Sequence, residues 1–461
     1  YFFRRHKIIF LCFLWIVIPL LPVLYIPALG ENTFTDRYLY LPSIGFVVLT
    51  ALAMERISQL KALRQSANYA IISILIILTG LYSVGTIKRN YIWKDNYSLW
   101  TDITKKSPDS SMAHNNLGSA YHNRNLIDKG IEHYQIALEL KPDYPEAHNN
   151  IANAYSEKGE IDKALKHYQI ALELSPNFSE VHNNLGLSYY KKGETDKAIE
   201  HYQTAIKLKQ GSPAAHNNLG TIYSKQGRFD DAIKEYTKAL KLKPDYAEAH
   251  NNLGNVYFDL GRFDEAIKEF MIALRLRPDY PEAHNNLGIV YAKQERFDES
   301  IKEYLIALKL NPDYPEAHLN LGNVYSALGR FDEAIKEYMI AIKVTPVHPE
   351  AHYTLALTYS KQERFDEAIK EYITAIKLKP NYPEAHSDLG NVYSILGKFN
   401  EAIKEYMIAI RLKPDYVIAH YNLGFVYLET GLKDRAEEEF KTALQLKPDF
   451  APAREALESM K

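Results

Sequence analysis

The chain changes its hydrophobic rhythm near residue 90. Before that point apolar residues run on almost unbroken; after it they recur at helical spacing with polar residues between. Ile8–Leu29 (IIFLCFLWIVIPLLPVLYIPAL) carries no charge and is long enough to cross a bilayer, which takes roughly 20 residues. Pro19, Pro22 and Pro27 fall inside it, so neighbouring helices must satisfy the carbonyls they free. Asn68–Ile87 is a second strong run and Tyr38–Met54 a shorter one. Residues 1–90 thus read as a membrane region with transmembrane helices at about 8–29, 38–54 and 68–87. A cleavable leader is the alternative for the first run, because Arg4, Arg5 and Lys7 precede it and Ala28-Leu29-Gly30 has a small-x-small form.

With three crossings, Arg4, Arg5, Lys7, Arg56, Lys61 and Arg64 share one side. Arg37, Lys88, Arg89 and Lys94 fall on the other. The basic excess marks the cytoplasmic side, so everything beyond residue 88 is expected outside the cytoplasm, in periplasm or lumen. The assignment inverts if Tyr38–Met54 does not span.

Past residue 90 the governing feature is a period of 34 residues. Prolines stand at 108, 142, 176, 244, 278, 312, 346, 380, 414 and 448, and Gln210 fills the skipped position. Ten units fill Ser111–Phe450. In the unit 247–280, Leu253, Gly254, Val256 and Tyr257 mark one face of a first helix. Ala266, Ile267, Phe270, Ala273 and Leu274 mark one face of a second. Gly261 separates the two and Pro278 stops the second. Each unit is therefore a helical hairpin, too small to bury its apolar face except against a neighbour. The expected fold is all-α: three transmembrane helices, then an α-solenoid. Lys94–Asp109 matches a lone second helix, giving an N-terminal cap over 91–110, and 451–461 reads as a C-terminal capping helix. No Gly/Ser-rich linker separates membrane region and array, so the array is expected close to the bilayer.

Charge and cysteine change the picture mainly by exclusion. Lys+Arg number 55 and Asp+Glu 57, a net charge of -2, which gives no basic field for nucleic acid. The single cysteine, Cys12, allows no intrachain disulfide and no Cys-type zinc site. The chain opens on Tyr1, not Met, and further sequence is expected upstream. No P-loop, GxGxxG or Ser-His-Asp grouping appears, and no cofactor is called for.

The candidate chemistry lies in the pentapeptide HNNLG, written five times from His114 to Gly288 with near-copies at His148, His318, His352, His386 and His420. Metal binding is a poor reading of the histidines. Zinc needs its nitrogen ligands about 2 Å away, whereas equivalent positions one unit apart are separated by packed helices. A packing role is expected. The asparagines Asn116, Asn150, Asn184, Asn218, Asn252, Asn286, Asn320 and Asn422 hold one register, broken by Thr354 and Asp388. An amide both donates and accepts, so a row of them can hold an extended backbone without reading side chains. The alternative is that they bond neighbouring helices or water. Asn115, Asn149, Asn183, Asn217, Asn251 and Asn285 add polarity beside them, which Leu319, Tyr353, Ser387 and Tyr421 interrupt. The IKEY strip of the second helices reads as a solvated outer face.

The pattern L-G-x-x-Y, A-x-x-x-[YF]-x-x-A, then P, met almost fully in ten units, resembles the tetratricopeptide repeat (TPR). That resemblance covers about three quarters of the chain and implies a right-handed superhelix whose first helices line a concave groove. The asparagine register is similar to the ladder of the TPR superhelix of O-GlcNAc transferase, which implies a groove for peptide backbone. The lysines of the carboxylate clamp of chaperone-binding TPR proteins are missing here. TDRYLYLPSIGF (Thr35–Phe46) and RNYIWKDNYSLW (Arg89–Trp100), followed by the array, resemble the membrane-to-repeat junction of the transmembrane-and-TPR O-mannosyltransferase-like family. That family is of GT-C type, uses lipid-linked sugar and carries its acidic catalytic loop near the beginning of its membrane domain, a part expected upstream of Tyr1. Arg37, beside Asp36 at a membrane edge, is read as a contact for a lipid phosphate, or else as an interfacial anchor. Two functions follow: a membrane-anchored scaffold binding peptides or proteins, or the C-terminal part of a glycosyltransferase whose repeats recruit acceptor proteins. The partners are a protein or extended peptide, the lipid bilayer and, for the second reading, a lipid-linked sugar.

Overall fold

The computed structural model describes residues 95–208 and 212–460, with the isolated positions Ser73 and Ile77. Apart from those two positions, the three apolar runs lie outside the described residues, and so do Asp36 and Arg37. Among the described residues no helix is long and apolar enough to cross a membrane.

Twenty-two helices and no strand fill the described residues. A single helix, α1 (Asn96–Lys106), precedes the hairpin α2 (Ser111–His122) and α3 (Ile127–Leu140). Nine further hairpins follow: α4 (Pro145–Glu157) with α5 (Ile161–Leu174), α6 (Ser179–Lys192) with α7 (Thr195–Leu208), and α8 (Pro213–Lys225) with α9 (Phe229–Leu242). Then come α10 (Ala247–Asp259) with α11 (Phe263–Leu276), α12 (Pro281–Lys293) with α13 (Phe297–Leu310), and α14 (Pro315–Ala327) with α15 (Phe331–Val344). The last are α16 (Pro349–Lys361) with α17 (Phe365–Leu378), α18 (Pro383–Ile395) with α19 (Phe399–Leu412), and α20 (Val417–Glu429) with α21 (Lys433–Leu446), closed by α22 (Ala451–Ser459). Two compact units result, Tyr1–Asp143 and Tyr144–Lys461.

Small against large packing closes each hairpin. A Cβ added to Gly254 would stand 2.7 Å from Phe270 Cε1, so glycine lets α10 approach the ring on α11. Where the register has alanine, as at Ala356, the partner Tyr372 stays buried in the same cluster. The turn between the helices is left-handed: Gly261 has φ +71°, and Arg262 N–H donates to the Tyr257 carbonyl. Asn125, Glu295 and Glu363 occupy the same turn position at positive φ in other units.

Within Tyr144–Lys461 each hairpin packs on the next through its second helix and the following first helix. The first helices of neighbouring hairpins also touch one another, which the second helices do not do to the same degree. The stack therefore closes up on its first-helix side, and α4, α6, α8, α10, α12, α14, α16, α18 and α20 form its inner wall.

Candidate peptide groove

The asparagines face one another along this wall and bond in a chain. Asn218 Nδ2 donates to Asn183 Oδ1 at 3.1 Å, Asn252 to Asn217 at 3.0 Å, Asn286 to Asn251 at 3.1 Å and Asn320 to Asn285 at 3.1 Å. Asn184 donates to Asn149 Oδ1 at 3.2 Å and to Asn153 Oδ1 at 3.0 Å. Asn422 reaches Asn391 Oδ1 at 2.8 Å. Asn150, on α4, holds the same half-buried register, and so does Asn116 on α2 in the other compact unit. The ladder is thus made of two asparagines per step, the second of one HNN reaching back to the first of the preceding one. From sequence the first asparagine carries only a general polarity; in the structure it is the acceptor, buried at Asn149, Asn217, Asn251 and Asn285.

Asn218, Asn252, Asn286 and Asn320 each donate one such bond from the amide. No described side chain donates to Oδ1 of Asn252, Asn286 or Asn320, and none of these oxygens is a buried orphan. These residues are half-buried, with a carbonyl and a second N–H left on the wall.

The ladder breaks where the sequence does. Opposite Leu319, Thr354 Oγ1 turns back to its own helix and donates to the carbonyls of Glu350 and Ala351. One step later Tyr353 OH donates to Asp388 Oδ2 at 2.8 Å, and Asn391 Nδ2 donates to Asp388 Oδ1 at 3.2 Å. Burial raises the Asp388 carboxyl above the usual carboxylate range, against the two bonds that lower it. Tyr353, beside it, is raised by burial and by that carboxylate.

The histidines are more than packing residues. Each lies in the hairpin interior against the residue 19 positions on. In seven units that residue is glutamate, His216–Glu235 to His420–Glu439, with Nδ1 to Oε2 at 2.6 Å. In the first three it is a second histidine, and His114–His133, His148–His167 and His182–His201 meet Nδ1 to Nδ1 at 3.0 Å. In seven hairpins the other nitrogen reaches back to the preceding proline carbonyl, as His250 Nε2 does to Pro244 at 3.1 Å. That carbonyl only accepts, so His250 Nε2 carries a hydrogen, and the carboxylate at Nδ1 demands another. Burial opposes this charge, but the Glu269 bond and the Pro244 carbonyl outweigh it and raise the His250 pKa. In a His–His pair one hydrogen serves both Nδ1 atoms. His167 is lowered to about 4 by burial and then by His148.

This pairing corrects the reading of IKEY as a solvated face. Lys234 is exposed, but the neighbouring Glu235 is buried against His216. The signal was present: Glu235 lies three residues after Ala232 and four before Ala239, both fully buried, which puts it on the core side of α9.

The fold is a stack of two-helix repeats bearing an amide-lined inner wall. Comparison with known families makes that class definite. The TPR family matches residues 118–159, 152–193 and 390–431, and further tetratricopeptide repeat patterns match 353–406 and 417–450. The cilia and flagella-associated protein 70 C-terminal domain matches residues 178–379. The chain belongs to the tetratricopeptide repeat proteins.

Curated relatives include protein O-mannosyl-transferase Tmtc3 of Drosophila melanogaster, 26% identical over 138 residues, which are 29% of this chain and 14% of that protein. Protein O-mannosyl-transferase TMTC3 of Homo sapiens is 29% identical over 99 residues, 22% of this chain and 10% of that protein. TMTC1 of Homo sapiens is 27% identical over 140 residues, 30% and 16%. The chain thus spans less than a fifth of the length of these relatives. Among solved structures, MamA is 30% identical with TM-score 0.34, covering 36% of this chain and 96% of its own. YrrB, described as a TPR protein with an unusual peptide-binding site, is 27% identical with TM-score 0.34, covering 41% and 96%.

Proposed function

We propose that the first-helix wall of Tyr144–Lys461 is a groove for an extended polypeptide, held through its backbone. The observation that carries this reading is the unclaimed Oδ1 of Asn252, Asn286 and Asn320 on a wall whose amides already hold one another in place. A row of fixed, half-buried acceptors and donors suits a strand-like ligand and no particular side chain. The repeats then act as a scaffold, and the apolar runs before residue 90 would anchor it to a bilayer with the array on the extracytoplasmic side.

The test presents the full chain to an array of immobilised, extended peptides of about 12 residues and compares it with the double variant Asn218→Ala, Asn252→Ala. Each substitution leaves an asparagine carbonyl without its donor, a cost of about 1 kcal/mol, too little to unfold the array. Loss of capture with unchanged helicity supports the groove. Undiminished capture removes it.

The O-mannosyl-transferase relatives favour a second reading, in which the repeats present acceptor proteins to a glycosyltransferase using a lipid-linked sugar, with Arg37 on the lipid phosphate. Sugar transfer by a protein that carries these residues together with upstream sequence tests it. Arg37→Ala should abolish transfer, and unchanged turnover would remove the phosphate contact.

A further inference from the structure

Between α16 and α18 the neutral ladder gives way to a carboxylate. Asp388 stands where seven other units of Tyr144–Lys461 carry an asparagine, and its two oxygens accept only neutral donors, Tyr353 OH and Asn391 Nδ2. No described lysine, arginine or histidine pairs with it. Nearby Lys379 lies with Glu350 at 3.4 Å and over the Tyr382 ring at 4.4 Å, and Lys413 lies over Tyr416. Glu384, one turn before Asp388 on α18, adds a second negative charge. Tyrosines surround the position: the Tyr353 and Tyr382 ring centroids are 5.0 Å apart, and Tyr372, Tyr406 and Tyr416 all feel the Asp388 charge. The adjoining Ser387 is fully buried beside Tyr416.

A carboxylate out of water is costly unless a cation meets it. At the other steps in this unit the wall avoids that cost by using amides or, at Thr354, a hydroxyl. At this one step the protein keeps the carboxylate half-buried beside aromatic rings and pairs none of its own cations with it, the nearby Lys379 lying over Tyr382 and with Glu350. Aromatic faces and a carboxylate together suit a guanidinium or ammonium group.

We propose that Asp388, with Tyr353 and Tyr382, forms a subsite for one cationic side chain, arginine or lysine, of a polypeptide lying along the asparagine ladder. The subsite rests on the groove reading above and adds to it a specificity. The ladder holds any extended backbone, and the Asp388 step fixes its register by demanding a positive charge.

The experiment measures binding of the full chain to three labelled peptides of about 12 residues, neutral and polar apart from one central position occupied by arginine, lysine or glutamine. Asp388→Asn is the variant, since it keeps the size of the side chain and restores the residue of the other rungs. The arginine and lysine peptides should bind the unaltered chain about tenfold more tightly than the glutamine peptide. In Asp388→Asn that advantage should vanish while the glutamine peptide binds as before. Equal binding of all three peptides to the unaltered chain leaves the groove standing and overturns the subsite. An advantage that survives in Asp388→Asn overturns it too, placing the cation elsewhere. Absence of binding by every peptide overturns groove and subsite together.

Discussion

Glu269 on α11 meets His250 on α10 at 2.6 Å, and His250 in turn holds the Pro244 carbonyl of the preceding loop at 3.1 Å. One imidazole thus ties together both helices of its own hairpin and the end of the hairpin before. The His–Glu pair repeats through seven units, in five of them together with the proline bond, and gives way to a His–His pair in the first three. The array is uniform in backbone and divided in proton chemistry.

That division sets opposite responses to acid. His167 has a folded pKa of about 4 against an ordinary 6.5, so the unfolded chain binds the extra proton between them. Its contribution is complete above about 6.5 and is lost as pH falls towards 4. His250, His318, His352 and His420 are raised, so their contribution is complete below 6.5 and is lost as pH rises through the raised values. His167→Glu converts one His–His pair into the His–Glu type. The variant should resist urea better than the unaltered chain at about pH 5, by roughly 1 kcal/mol after allowing for the pair's partial exposure. The gain should disappear at about pH 8. Hydrogen exchange on α4 and α5 at the two pH values locates the effect.

The Glu269 side chain tests the pair from its other end. Glu269→Gln can donate an N–H to a neutral His250 Nδ1 and leave the Pro244 bond intact, so the loss should be about 1 kcal/mol. Glu269→Ala removes the group that keeps His250 protonated, leaves its Nδ1 without a partner in the hairpin and should cost about 2–3 kcal/mol. Urea unfolding at neutral pH distinguishes them, and equal losses would show that the carboxylate, not the hydrogen bond, matters.

The helix-to-helix turn offers a stabilising change. Glu295 and Glu363 hold φ of 59° and 60°, where Gly261 and Gly329 in neighbouring units hold 71°. A side chain in the left-handed region costs about 1 kcal/mol that glycine avoids. Glu295→Gly and Glu363→Gly should each raise the urea midpoint, and Gly261→Ala should lower it.

The hairpins, their period and their packing were legible in sequence because each unit repeats the same glycine, alanine, tyrosine and proline, and errors at one position are corrected by nine others. The asparagine register was legible too. What the two asparagines do was not, because Asn217 and Asn252 are 35 residues apart and only the stacking of α8 on α10 brings them to 3.0 Å. The His216–Glu235 pair was hidden for a different reason. A charged residue in a Lys/Glu-rich strip reads as solvated until its spacing from Ala232 and Ala239 is weighed against its charge.

The ladder carries its own control. At Leu319 and Thr354 the protein replaces an asparagine pair with an apolar residue and a hydroxyl that bonds its own helix. Copying that pair one region earlier gives Asn217→Leu with Asn252→Thr. Asn217→Leu alone leaves Asn252 without its acceptor and should cost about 1 kcal/mol, and Asn252→Thr alone leaves Asn217 Oδ1 unpaired for a similar loss. Together they remove both halves of the bond, so the double variant should be more stable than the two losses added predict, with a coupling of about 1 kcal/mol. Strict additivity in urea unfolding would mean that the 3.0 Å contact contributes nothing to stability.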